Sequence, residues 1–141
     1  MQGGSLDAAD RQALDNVLSK LSERGQRVFT LDKLILDWQV FVANVERGYG
    51  RSIYEYTNDL TVRDMLDEIA NEATANVARL IATRVGRFDE RYRDATLPRS
   101  TPLLREPAGV RNRWWWSRAP KRVVGELARD LEVASEDPPQ D

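Results

Sequence analysis

Three consecutive tryptophans, Trp114, Trp115 and Trp116, stand among Arg111, Arg113, Arg118, Lys121 and Arg122. Aromatic rings interleaved with cations can stack on unpaired bases while the charges meet phosphates. The same residue types dominate the energetic centres of protein–protein contacts. A third reading is internal: the rings pin a segment to the core and guanidinium groups stack on them. In an extended segment Trp114 and Trp116 share one face and Trp115 takes the other, so two rings can anchor while the third stays partly exposed.

The carboxylates offer a second chemistry. Asp64, Glu68 and Glu72 recur at i, i+4 and i+8, one face of a helix. All-oxygen donors suit Mg²⁺ or Ca²⁺. No calcium-loop spacing accompanies them, and the di-metal bundle motif requires Glu-x-x-His in a chain without His. A solvated face of mildly repelling charges accounts for them, so neither metal nor cofactor is expected. Asp59 with Arg63 and Asp89 with Arg93 are i, i+4 pairs in the favourable order, each contributing about 0.2–0.5 kcal/mol of helix support. Tyr49, Tyr54 and Tyr56 could line a pocket with Trp38, or form a core corner that keeps hydroxyls wet. Gly48-Tyr49-Gly50 is too short for a phosphate-binding loop.

Composition removes further chemistry. The chain has 141 residues, with no Cys and no His. There is no disulfide, no thiolate nucleophile, no Cys/His zinc site and no histidine-based triad. With the strong nucleophiles absent, a non-enzymatic protein is expected. The longest apolar run, Val40–Ala43, falls far short of the ~20 residues of a membrane span. The start, Met1-Gln2-Gly3-Gly4-Ser5, lacks the basic and apolar regions of a signal peptide. A cytoplasmic protein is expected.

Four helices follow from apolar periodicity. The first covers 6–24, capped by Ser5 or Asp7 and stopped at Gly25. The second covers 31–47, capped by Thr30, with a stripe of Leu31, Leu34, Ile35, Trp38, Phe41, Val42 and Val45 ending at Gly48. Residues 49–60 form a connector; Ser52-Ile53-Tyr54-Glu55 has the spacing of a single capped turn, and Asn58-Asp59 reads as a turn. A long third helix covers 61–95. Its stripe is close to heptad, which makes a homodimer through this helix plausible, with a weak point at Gly86. Pro98, Pro102 and Pro107 make 96–119 an extended arm. Pro120 suits the first position of a closing helix over 120–134, and an acidic tail, 135–141, is expected to be disordered. The fold class is therefore all-α: residues 1–95 form a three-helix core with a long third helix, wrapped by a Pro-rich arm and closed by a C-terminal helix, one domain overall.

Charge is unevenly spread. Residues 1–78 carry 8 Lys+Arg and 13 Asp+Glu, residues 79–122 carry 12 and 4, and residues 123–141 carry 1 and 6. A basic middle between acidic ends is either a footprint for an anionic partner or a set of charges neutralised within the fold.

The run Trp38-x-x-Phe41-Val42-x-x-Val45-Glu46-x-Gly48-Tyr49, followed by Tyr54-x-Tyr56-x-Asn58-Asp59-Leu60-x-x-Arg63-Asp64, resembles small uncharacterised proteins from high-GC bacteria. The run Phe88 to Thr96 and the Trp-rich segment extend the resemblance over about residues 31–131. It implies a free-standing bacterial protein and no named activity. The expected function is a non-catalytic helical adaptor or regulatory protein. It would bind a protein partner, or itself, through Arg111, Arg113, Trp114, Trp115, Trp116, Arg118, Lys121 and Arg122. The alternative is a nucleic-acid-binding protein using residues 79–122.

Overall fold

The computed structural model describes residues 6–99 and 113–136 of the chain. It is mostly helical, with one small two-stranded sheet. Helix α1, Ala8–Gly25, opens with a reciprocal capping box: the Asp7 and Asp10 carboxylates each accept from the other's backbone N–H. Its C-cap is Gln26, in the left-handed region at φ 57°, one residue beyond the expected Gly25. Helix α2, Leu31–Arg47, has the expected bounds, the Thr30 cap and the whole predicted stripe buried.

The single helix expected over 61–95 is two helices. Helix α3 is Ile53–Glu72 and helix α4 is Ala75–Asp94. The break falls at Ala73-Thr74, where Thr74 is extended (φ −110°, ψ 166°) and its hydroxyl accepts from Val77 N. Gly86 lies inside α4, where an added Cβ would meet nothing within 4 Å. Helix α3 also starts earlier than expected. Ser52 caps it, but the turn continues, so Asn58 and Asp59 are helical. The near-heptad stripe is the sum of two shorter stripes folded onto one core. Leu66, Ile69, Val77, Ile81, Val85 and Phe88 are all buried within the chain, so no continuous helix 61–95 is left to carry a homodimer.

Helices α3 and α4 run in opposite senses, since Tyr56 meets Tyr92 and Arg63 meets Asp89. Helices α2 and α4 run in the same sense: Asp32 pairs with Arg84 and Glu46 with Arg91. Trp38, Tyr56 and Tyr92, all fully buried, fill the space between the three. Helix α1 is tied on at several points. Thr74 Oγ1 and Asn76 Nδ2 donate to the buried Asp10 carboxylate at 2.7 and 3.1 Å, and Lys20–Glu72 and Arg24–Glu68 pair at 2.6 and 2.8 Å. The carboxylates Glu68 and Glu72 thus serve as anchors for α1 rather than as an unattached solvated face.

After α4 the chain forms strand β1, Thr96–Pro98, antiparallel to strand β2, Arg118–Pro120. Bonds from Arg99 N to Ser117 O and from Lys121 N to Ala95 O flank the register, leaving Pro98 and Pro120 on positions that need no ladder donor. Pro120 therefore ends a strand rather than starting a helix. The closing helix, α5, is Gly125–Glu136. Gly125 has φ +54°, and an added Cβ would lie 2.7 Å from Gly50 O. That close approach lets Glu126 N bond Gly50 O, while Asp130 Oδ2 accepts from Ile53 N at the start of α3. Of the expected arm, residues 100–112, with Pro102, Pro107 and Arg111, lie outside the described residues. Of the expected tail, residues 137–141 lie outside them, and 135–136 belong to α5. Among the described residues no helix is long and apolar enough to cross a membrane.

Candidate functional site

The tryptophan run is a single 3₁₀ turn, Trp114–Ser117, not an extended strand, so its rings divide differently from the alternation expected. Trp115 and Trp116 are both buried, and both indole N–H groups donate to one oxygen, Asp64 Oδ1, at 2.7 and 2.9 Å. Arg113 stands 3.5 Å from the same oxygen and donates to Asp67 Oδ2 at 3.1 Å. Burial pushes the Asp64 carboxyl above its ordinary value, outweighing these donors, which favour the charged form. Asp64 is a clasp for the Trp114–Ser117 turn.

The clasp continues into the helical core. The Arg63 guanidinium lies 4.4 Å over the Trp115 ring and forks onto Asp89 at 3.0 and 2.9 Å. Trp38 Nε1 donates to the same Asp89 at 3.0 Å. Tyr56 and Tyr92 share a 2.6 Å hydroxyl contact, and Tyr92 donates to Trp115 O, which leaves Tyr56 the donor to Tyr92. Both phenols are pushed upward, first by burial. The i, i+4 pairs expected, Asp59 with Arg63 and Asp89 with Arg93, do not form, and each member finds another partner. Arg63 takes Asp89, and Asp59 accepts from Tyr49 instead. Arg93 pairs with Glu90 and covers the Trp114 ring at 4.0 Å. Tyr49 and Tyr56 are core residues packed on Phe41, which in turn meets Trp38, whereas Tyr54 is exposed.

Several of the residues expected to bind a partner are thus occupied. Trp115 and Trp116 are anchors, a correction to their reading as contact surface: a ring that is 3% exposed with its N–H bonded inward offers a partner nothing. Arg113 holds α3. Arg118 donates to Thr96 Oγ1 and to the carbonyls of Arg93 and Thr96. Trp114 is half-buried. Lys121 and Arg122 are exposed beside a cleft of about 340 Å³ and form no ion pair with another described residue. Arg111 lies outside the described residues. Elsewhere in the basic block Arg84 and Arg91 pair with Asp32 and Glu46 of α2.

A larger concavity lies elsewhere, between α2 and α3. This groove, about 580 Å³, is floored by Leu36, Val40, Val62 and Met65. Leu36 and Val40 are each 49% exposed, a pair of aliphatic side chains at i, i+4 turned away from the core. Around them stand Arg27, the Lys33–Asp37 pair and Asp59. The sequence held a signal for this face: Leu36 and Val40 lie off the core stripe of α2, making that helix apolar over more of its circumference than one buried face needs. Among the described residues no group of three or more acidic side chains is arranged to hold a metal ion. No protein-family model matches the chain, and no curated protein or solved structure does either.

Proposed function

We propose that this chain is a small, non-catalytic helical adaptor or regulatory protein of the cytoplasm that binds a protein partner in the groove between α2 and α3. The observation that carries the reading is the exposed Leu36/Val40 pair on the floor of that groove. Two aliphatic side chains at i, i+4 beside a second helix are the receiving half of helix-in-groove recognition. The absence of catalysis is supported by the use of the buried carboxylates: Asp64 and Asp89 each hold tryptophan N–H groups and an arginine.

Panning a displayed library of amphipathic helices tests this. The wild-type chain is expected to enrich sequences with apolar residues at i, i+3 and i+4, and a folded L36E/V40E variant to lose them. Enrichment that survives L36E/V40E overturns the reading. A nucleic-acid role is the second reading, supported by Lys121 and Arg122, exposed and without acidic partners among the described residues. It demands electrophoretic shifts whose affinity falls steeply between two salt concentrations. No shift at low salt sinks it.

A further inference from the structure

The groove carries one charge whose surroundings say what should lie there. Its Lys33 and Asp37 are paired at 2.6 Å, and Arg51 at its edge is paired with Glu55 at 2.7 Å. Arg27 is exposed and stacks over the Phe29 ring. Asp59 differs from all of these. It is half-buried on the α3 wall, and Oδ2 accepts from Tyr49 Oη at 2.7 Å, while no described residue donates to Oδ1; Arg51, held by Glu55, acts on the group only from beyond ion-pair distance, against the like charges of Glu55 and Asp37. Burial is the main cause that lifts its carboxyl above the ordinary value. A carboxylate partly stripped of water, with no described cation within ion-pair distance, favours a cation supplied from outside.

The shape of the occupant follows from the walls. Loop residues Arg27, Phe29 and Arg51 enter the lining, but along the α2 and α3 walls there are no free backbone donors or acceptors, so an extended strand would leave its own peptide groups without partners there. A helix satisfies its peptide groups internally and can lay a row of apolar side chains against Leu36, Val40, Val62 and Met65. The α2 wall, residues 33–44, is about three turns long at ~1.5 Å per residue. We propose that the occupant is a basic amphipathic helix of about three turns, its apolar face on the Leu36/Val40 floor and a Lys or Arg beside that face bonded to Asp59 Oδ1. This inference rests on the groove reading and adds the sign of the partner's charge.

Two synthetic helices test it, one built of Leu and Lys and one with Glu in place of Lys, titrated by fluorescence anisotropy against the full chain near physiological salt. The Leu/Lys peptide is expected to bind roughly ten-fold tighter than the Leu/Glu peptide, the ratio of one charge-assisted hydrogen bond. Asp59→Asn is expected to erase that ratio. Tyr49→Phe, which keeps the carboxylate, should preserve it, and L36E/V40E should abolish both interactions. Equal affinities for the two peptides, or an unchanged ratio in Asp59→Asn, overturn the inference; if L36E/V40E still abolishes binding, the groove reading stands without it. Binding of neither peptide, or binding indifferent to L36E/V40E, overturns the groove reading as well. A concentration-dependent dimer broken by L36E/V40E without peptide makes a second copy the occupant and also refutes the inference.

Discussion

Replacing Asp64 with Ala asks how much of the fold hangs on one oxygen. Two buried indole N–H groups share Asp64 Oδ1, and no other described acceptor is bonded to either. A buried donor without an acceptor costs about 1–3 kcal/mol, so two cost about 2–6 kcal/mol. The removed carboxylate was itself disfavoured by burial, as its raised pKa records, which offsets part of that loss. A net cost of about 3 kcal/mol follows, out of a total near 10 kcal/mol for a chain of this size. The melting temperature should fall by about 10 °C. Asp64→Asn keeps an oxygen that both N–H groups can reach, and its loss of charge assistance is offset by removing a buried charge, so it should cost less than about 1 kcal/mol. Urea unfolding followed by circular dichroism gives these values. The decisive comparison places Asp64→Ala in a W115F/W116F background, where the donors are gone. There the substitution should cost about 1 kcal/mol or less, because nothing is left unpaired. An equal cost in both backgrounds would refute the clasp.

Asp89→Ala leaves Arg63 buried without its partner and Trp38 without its acceptor, and should cost about 3–5 kcal/mol by urea midpoint. Arg63→Met with Asp89→Leu should recover much of this, but not the Trp38 contribution. Thr74→Ala removes the α4 cap and the main donor to Asp10, at about 1–2 kcal/mol. Asp10 is held below its ordinary carboxylate value chiefly by Thr74, so the stability it confers is present above pH 3.8 and lost as the pH falls through its folded value. Thr74→Ala should therefore raise the Asp10 pKa seen by NMR. Asp64 has the opposite sign: its raised pKa gives a contribution fully present below 3.8 and lost as the pH rises through the folded value. The wild type should accordingly gain stability relative to Asp64→Asn as the pH falls from 7 toward 3.8, and a constant difference in urea midpoint would contradict this.

Helix α2 was legible to the residue because its cap, its apolar period and its stop residue agree. The break between α3 and α4 was not, because Ala73-Thr74 contains neither Gly nor Pro and the apolar period runs on across it with little change of phase. Thr74 was the available signal, a cap residue at the start of a second stripe. Residue type pointed to Trp115 and Trp116, with anchoring of two rings as one reading and partner binding as the one expected. Which two was missed, since the turn is 3₁₀ rather than extended. Their acceptor stands 51 and 52 positions earlier, beyond any local pattern. Arg63 likewise pairs 26 positions away rather than with its helical neighbour Asp59.

The uneven charge of the chain finds much of its explanation in these long-range pairs. Acidic residues of the first block, Asp32, Glu46, Asp64 and Asp67, meet Arg84, Arg91 and Arg113 of the basic block, while Arg63 and Asp89 join the same two blocks in the reverse sense. The exposed members of this set, such as Arg84–Asp32, contribute about 0–1 kcal/mol each and chiefly favour one pairing of helices over others. The buried members cannot be removed singly without leaving a charge or an N–H group stranded. A basic segment built into the fold in this way is a weaker case for an anionic partner than its net charge suggests. On the proposed reading, recognition falls to groups without an ion-pair partner among the described residues, and the half-buried Asp59 of the α2/α3 groove is one of them.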